Sequence, residues 1–77
     1  MTQKEKKFLK DWYYGVYLAK LRAQKKSKTD KSKDLRIRKL RAETMVIEAE
    51  YVLMNLMPTD DVLPGLREKA EEEAGLY

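Results

Sequence analysis

The sequence predicts an all-α protein built as a long antiparallel helical hairpin followed by a short C-terminal helix. Apolar residues recur at helical spacing through two long stretches that contain no proline, and neither stretch shows the alternation of a β-strand. A polar, lysine-rich segment separates the two stretches, as a turn between antiparallel helices requires. We expect one domain over residues 1–77, with a core so small that self-association completes the bundle.

The first helix is predicted over about residues 4–26 and the second over about residues 33–57. The joint between them, over about residues 27–33, contains serine, threonine and aspartate side chains, which cap the N-termini of helices. Pro58 ends the second helix, because the residue before a proline is displaced from helical backbone angles.

A short acidic helix is predicted over about residues 60–74. The Thr-Asp-Asp segment at positions 59–61 is predicted to cap its N-terminus. Pro64 fits the first turn, because the N–H that proline lacks would have no partner there. Gly75 is placed as a C-terminal cap.

The second helix is apolar on two opposed sides. One stripe contains Leu35, Ala42, Met45, Val46, Ala49, Val52, Leu53 and Leu56. The other contains Ile37, Leu40, Ile47, Tyr51 and Met54. A helix that is apolar on two faces is normally covered on both. We expect the first helix to cover one face, the third helix to cover part of the other, and a second copy or a different protein to meet the rest.

The first helix also has two apolar sides. One side contains Phe8, Leu9, Trp12, Val16, Ala19 and Ala23, and the other contains Tyr13, Tyr14, Tyr17, Leu18 and Leu21. We expect the core to contain Trp12, Val16, Met45, Val52 and Leu56. Tyrosine is enriched at interfaces, because its ring packs while its hydroxyl stays hydrated. The tyrosines therefore indicate either a contact surface or the half-exposed flank of a small bundle.

Protein contacts are predicted for eight side chains that combine the tyrosine side of the first helix with the second stripe of the second helix. They are Tyr13, Tyr14, Tyr17, Leu21, Ile37, Leu40, Ile47 and Tyr51.

Charge divides the chain. Residues 1–41 carry fifteen Lys and Arg against four acids, a net charge of +11, whereas residues 42–77 carry two bases against nine acids, a net charge of −7. Such a dense positive segment can pair with phosphates and release counterions. The residues of this alternative nucleic-acid surface are Lys25, Lys26, Lys28, Lys31, Lys33, Arg36, Arg38 and Arg41. The arginines point to different sides of their helix, however, and lysines also serve to solvate a turn.

The composition argues against catalysis. The chain contains no His and no Cys, which removes the usual general base, thiol nucleophile and zinc ligands. Ser27 and Ser32 lie in the joint without a base to activate them, and no glycine-rich phosphate loop is present. We expect a protein that is not an enzyme and that has no metal site and no cofactor.

The same sequence favours an intracellular location. No apolar run approaches the roughly 18 residues that span a membrane. The N-terminal residues lack the apolar segment of a signal peptide. We therefore expect a cytoplasmic protein that has no membrane partner.

These observations predict a small non-enzymatic protein that binds another protein stoichiometrically, as an adaptor, an accessory subunit or an inhibitor. The size and composition are similar to those of phage-encoded regulators and accessory subunits, an analogy of type alone. A small basic nucleic-acid-binding protein is the alternative. A structural subunit whose only partner is itself is a third interpretation.

Overall fold

A computed structural model describes residues 2–58 and 61–75 of the chain. Three helices follow one another, α1 over Gln3–Ser27, α2 over Lys33–Leu56 and α3 over Leu63–Glu73. The described residues contain no β-strand. The predicted all-α class and the hairpin with a short third helix are confirmed, since α1 packs against α2 and α3 is the shortest helix.

The helix ends lie where local capping groups occur. Thr2 and Glu5 form a reciprocal capping box at the start of α1, in which the Thr2 hydroxyl accepts from the Glu5 N–H at 3.2 Å. Ser32 caps α2 by accepting from the Leu35 N–H at 3.3 Å. The Ser32 N–H in turn donates to the Asp30 carboxylate at 2.9 Å. The lysine-rich joint therefore ends in a defined helix start.

The bounds of α1 and α2 lie within one residue of the predicted bounds, whereas α3 begins three residues later than predicted. Positions 59 and 60 of the predicted cap lie outside the described residues. Val62 occupies the N-cap position of α3 without a side-chain hydrogen bond, and Pro64 lies in the first turn as expected. Gly75 has a φ of 75°, the left-handed conformation that glycine adopts after a helix.

The core lies between α1 and α2 and is closed by the C-terminal half of α3. Its buried residues are Tyr13, Tyr17, Leu21, Val46, Ala49, Leu53, Met57, Ala70 and Ala74. Tyr13 and Leu53 are the largest of the fully buried side chains, at 0% and 2% exposed. The two alanines on and just after α3 allow that helix to approach closely.

None of the five residues predicted for the core is buried, although Trp12 and Val16 pack against it. Trp12, Val16 and Val52 are only half-buried, and Met45 and Leu56 are each 49% exposed. The tyrosine side of α1 faces inward instead. The reason is that tyrosine can be buried when its hydroxyl finds a partner at the edge of the core, as Tyr13 does with Glu50.

The expected position of the third helix is also wrong. α3 packs mainly against α1, on the tyrosine side, and makes much weaker contact with α2. It therefore does not cover the second apolar stripe of α2. Because α1 covers only one face of α2, the opposite face of that helix remains exposed.

No helix among the described residues is both long and apolar enough to cross a membrane.

Candidate interaction surfaces

A polar network at the edge of the core joins all three helices. The Tyr13 hydroxyl donates to Oε2 of Glu50 at 2.7 Å. Arg67 donates from Nη2 to the same oxygen at 2.8 Å and from Nε to the Tyr13 hydroxyl oxygen at 3.1 Å. These three residues come from α1, α2 and α3, so the network fixes the rotation of each helix about its axis.

The environment of Tyr13 keeps its phenol neutral. Burial raises the pKa of Tyr13 well above its usual value, and the hydrogen bond to the Glu50 carboxylate raises it further. The Arg67 guanidinium lowers that pKa by a smaller amount. The phenol therefore stays protonated at neutral pH and can donate its hydrogen bond to Glu50.

Further contacts hold α3 on the tyrosine side of α1. The Tyr17 hydroxyl donates to Glu71 at 3.3 Å, and the Tyr13 and Tyr17 rings stack with centroids 5.8 Å apart. Burial, followed by the nearby Glu71 carboxylate, raises the pKa of Tyr17. The ammonium of Lys25 donates to the carbonyl of Ala74 at 3.2 Å, just beyond the C-terminus of α3, where a cation is favourable.

These contacts correct part of the predicted protein-binding set. Tyr13, Tyr17 and Leu21 are buried, so they hold the fold together and cannot serve as exposed contact residues. Tyr14 is half-buried, with the Lys69 ammonium 5.8 Å from its ring centroid. The other four predicted residues, all on α2, are exposed.

The first exposed apolar surface runs along α2 on the side opposite Val46, Ala49 and Leu53. We name it the outer stripe, and it consists of Ile37, Leu40, Thr44, Ile47, Tyr51 and Met54. Its five large apolar side chains are between 41% and 72% exposed. The Thr44 hydroxyl donates to the Leu40 carbonyl at 3.0 Å, so its hydrogen-bonding demand is met inside the helix.

The second exposed apolar surface lies between α1 and α2, on the side of α1 away from Tyr14. We name it the groove, and it is lined by Trp12, Gly15, Val16, Ala19, Ala42 and Met45, with Asp11 at the rim. Its volume is about 380 Å³. A hollow of about 420 Å³ lies nearer the start of α1, between Lys4, Glu5, Phe8, Leu9 and Leu56.

Small residues form part of the groove. A methyl group built on Gly15 would meet no atom within 4 Å, so the surface above this glycine is open. Trp12 and Met45 are larger and flank the small residues. The sequence prediction missed this surface, because the same side of α1 was assigned to the core. The signal was present in the excess of apolar residues on both sides of α1 and α2.

The residues of the predicted nucleic-acid surface lie around the joint between α1 and α2 and in the first turns of α2. All eight cations of the predicted nucleic-acid surface are exposed. Within residues 2–58 and 61–75, none of the eight forms an ion pair. The structure gathers the lysines around the joint, but Arg36, Arg38 and Arg41 point to different sides of α2.

The described titratable groups do not gather into a metal site. In the described part of the chain, no three His, Cys, Asp or Glu side chains come together as metal ligands would. No protein-family model, curated protein or solved structure matches the chain.

Proposed function

We propose that this protein is not an enzyme and that it works by binding another protein stoichiometrically, as an adaptor, an accessory subunit or an inhibitor. One observation carries this proposal. Among the described residues, eight large apolar side chains are exposed, and seven of them lie on the single helix α2. A soluble monomer rarely exposes contiguous apolar surface on this scale without using it for contact.

The groove, which contains Met45 of these eight side chains together with half-buried and small residues, is the part of the apolar surface that best suits a foreign protein. Its small residues, Gly15, Ala19 and Ala42, allow the backbone of a partner segment to approach closely. Trp12 and Met45 provide the aromatic and flexible apolar side chains that are enriched at protein interfaces. An amphipathic helix that lays its apolar face between α1 and α2 is the recognition mode that this shape favours.

The positive charge of the N-terminal half of the chain supports the same function. The net charge of +11 in residues 1–41 attracts an acidic partner over a distance of roughly one Debye length, about 8 Å at physiological salt. Such steering changes mainly the association rate. Apolar contacts in the groove then determine how long the complex lasts.

Nucleic-acid binding is the second candidate function. It is favoured by the eight exposed cations, which form no ion pair with carboxylates of the described residues. Phosphate contacts would give an affinity that falls steeply with salt concentration. We favour protein binding, because the arginines do not share one edge of α2 whereas the apolar side chains form continuous surfaces.

Affinity capture with a paired set of variants tests the proposal. The tagged protein is used to capture partners from a cell lysate, with and without nuclease. Met45→Glu places a charge in the groove at a half-exposed site, so α2 should still fold. Asn55→Glu adds the same charge to the same helix at an exposed position outside the groove, and it serves as the control.

We expect a stoichiometric protein band that survives nuclease, persists with the Asn55 variant and is lost with the Met45 variant. Captured material that disappears after nuclease treatment, while both variants bind equally, would instead support the nucleic-acid alternative. Replacing Lys25, Lys26, Lys28, Lys31 and Lys33 by Gln should then abolish binding.

A further inference from the structure

The outer stripe has the spacing of a coiled-coil seam. Positions 37, 40, 44, 47, 51 and 54 are separated alternately by three and four residues, which is the spacing of a and d positions in a heptad repeat. Five of the six side chains are large and apolar, and the sixth, Thr44, has its hydroxyl bonded to its own helix. This regularity goes beyond what a merely apolar surface requires.

The seam is also self-complementary when it is reversed. If two copies of α2 run antiparallel about a two-fold axis that passes between Thr44 and Ile47, each layer joins an a position to a d position. Ile37 then faces Met54 of the second copy, and Leu40 faces Tyr51 of that copy. Thr44 faces Ile47 in the two central layers. All six positions therefore find a partner without a gap or a shift in register.

The charges beside the seam favour this direction. In an antiparallel pair, Arg41 lies next to Glu48 of the second copy, and the two-fold axis produces this opposite-charge contact twice. In a parallel pair, Arg36 would instead meet Arg41 and Glu43 would meet Glu48, so like charges would face each other on both sides. Like-charge contacts at these positions oppose pairing.

One contact in the antiparallel pair is less favourable, because it brings Glu43 near Glu50 of the second copy. Both carboxylates are already occupied within their own chain. Glu43 accepts from the Gln24 amide at 3.0 Å, and Glu50 accepts from the Arg67 guanidinium at 2.8 Å and from Tyr13. The Arg67 charge offsets the charge of Glu50, so this contact costs less than the direct repulsions of a parallel pair.

We propose that the outer stripe binds a second copy of this chain, with the two α2 helices antiparallel and Thr44 of each copy facing Ile47 of the other. The core of each copy is left intact, because the stripe lies opposite the side of α2 that packs on α1. Five of the eight exposed apolar side chains that support the proposed function belong to the stripe, but the groove proposed for a foreign protein shares no residue with it, so different variants test the two proposals.

Cysteine cross-linking tests the direction and the register, because the chain has no cysteine of its own. We compare Ile37→Cys alone, Met54→Cys alone and an equal mixture of the two variants under mild oxidation. In the antiparallel pair, equivalent positions at either site lie about 25 Å apart along the axis, given a rise of about 1.5 Å per residue. A disulfide requires α-carbons within about 7 Å.

The expected result is a cross-linked dimer in the mixture and none in either variant alone. Cross-linking of each variant by itself would establish a parallel pair and overturn the proposal. A dimer in solution that does not cross-link in the mixture would overturn the register. Circular dichroism confirms that each variant remains helical.

Sedimentation over a range of micromolar concentrations tests the pairing without cysteines. Arg41→Glu should weaken self-association about tenfold or more, and so should Glu48→Arg. The double variant Arg41→Glu with Glu48→Arg should restore it, because each introduced charge again faces its opposite. These two residues are seven apart within one helix and are not neighbours there, so rescue requires contact between copies.

Arg22→Glu is the matched control, because it makes the same charge change as Arg41→Glu at an exposed position on α1, and it should leave self-association unchanged. A chain that stays monomeric at every concentration would overturn the proposal and leave the stripe to a foreign protein. If groove variants still capture the partner, the proposed function is wrong, whereas the proposed self-association is untouched.

Discussion

Replacement of Tyr13 by phenylalanine tests the polar network on which the arrangement of the helices depends. Tyr13→Phe keeps the ring, its burial and its stacking on Tyr17, and it removes only the hydroxyl. That hydroxyl donates to Glu50 at 2.7 Å and accepts from Arg67 at 3.1 Å. The variant therefore isolates two hydrogen bonds with charged groups.

The expected loss of stability depends on how exposed the two hydrogen-bond partners of the Tyr13 hydroxyl are. A hydrogen bond to a charged group contributes about 1.5–3 kcal/mol when it is shielded from water. The Glu50 and Arg67 side chains are 24% and 39% exposed, so water can replace part of what the phenol supplies. The ion pair between them remains in the variant. We expect Tyr13→Phe to lower the free energy of unfolding by about 1–2 kcal/mol.

Urea unfolding followed by circular dichroism measures this loss. Tyr51→Phe is the control, because it removes a hydroxyl from a tyrosine that is 72% exposed, and it should change stability by less than about 0.5 kcal/mol. Equal stability of the Tyr13 variant and the unmodified protein would refute the view that this network holds the helices in place.

The raised pKa of Tyr13 predicts that the protein loses stability at alkaline pH. The folded state raises the pKa of Tyr13, so the folded chain keeps a proton that the unfolded chain loses above its ordinary pKa of about 10. The contribution of Tyr13 to the free energy of unfolding is fully present below that pH. As the pH rises further, this contribution is lost by up to about 1.4 kcal/mol per pH unit. Tyr13→Phe should flatten this dependence, with Tyr17 accounting for a remainder. An identical decline in both proteins above pH 10 would contradict this explanation.

Two further predictions concern the core and the start of α2. Leu53→Ala should destabilise the protein by about 3 kcal/mol, because it leaves a cavity at a fully buried site, whereas Met45→Ala at a half-exposed site should cost less than about 1 kcal/mol. Equal losses in thermal unfolding would show that the groove is closed in solution. Ser32→Ala should cost about 1 kcal/mol through loss of the cap on α2, and Ser32→Asp should retain most of the stability. If the alanine and aspartate variants melt at the same temperature, the Ser32 cap contributes nothing.

Sequence patterns alone identified the helices and the apolar spacing of the outer stripe. Ser32 marks the start of α2 and Pro58 follows its end, and both act through their own backbone neighbours. The outer stripe was also visible, since its spacing along one helix identifies a face without reference to the other helices. Local chemistry and periodicity suffice for features that lie within one element.

Tertiary structure decided which side of α1 faces inward. Both sides of this helix are apolar, so hydrophobic periodicity alone did not distinguish Trp12 from Tyr13 as the core residue. The choice depends on Glu50 and Arg67, which lie 37 and 54 residues from Tyr13 in the chain and make its buried hydroxyl acceptable.

The position of α3 was decided in the same way. Ala70 and Ala74 fit closely in the core beside Tyr13 and Tyr17, and the hydroxyls of these tyrosines bond to Arg67 and Glu71 of α3. α3 therefore closes the tyrosine side and leaves the outer stripe and the groove exposed. Hydrogen bonds between distant residues depend on the simultaneous placement of all three helices, and a pattern read along one helix does not contain that information.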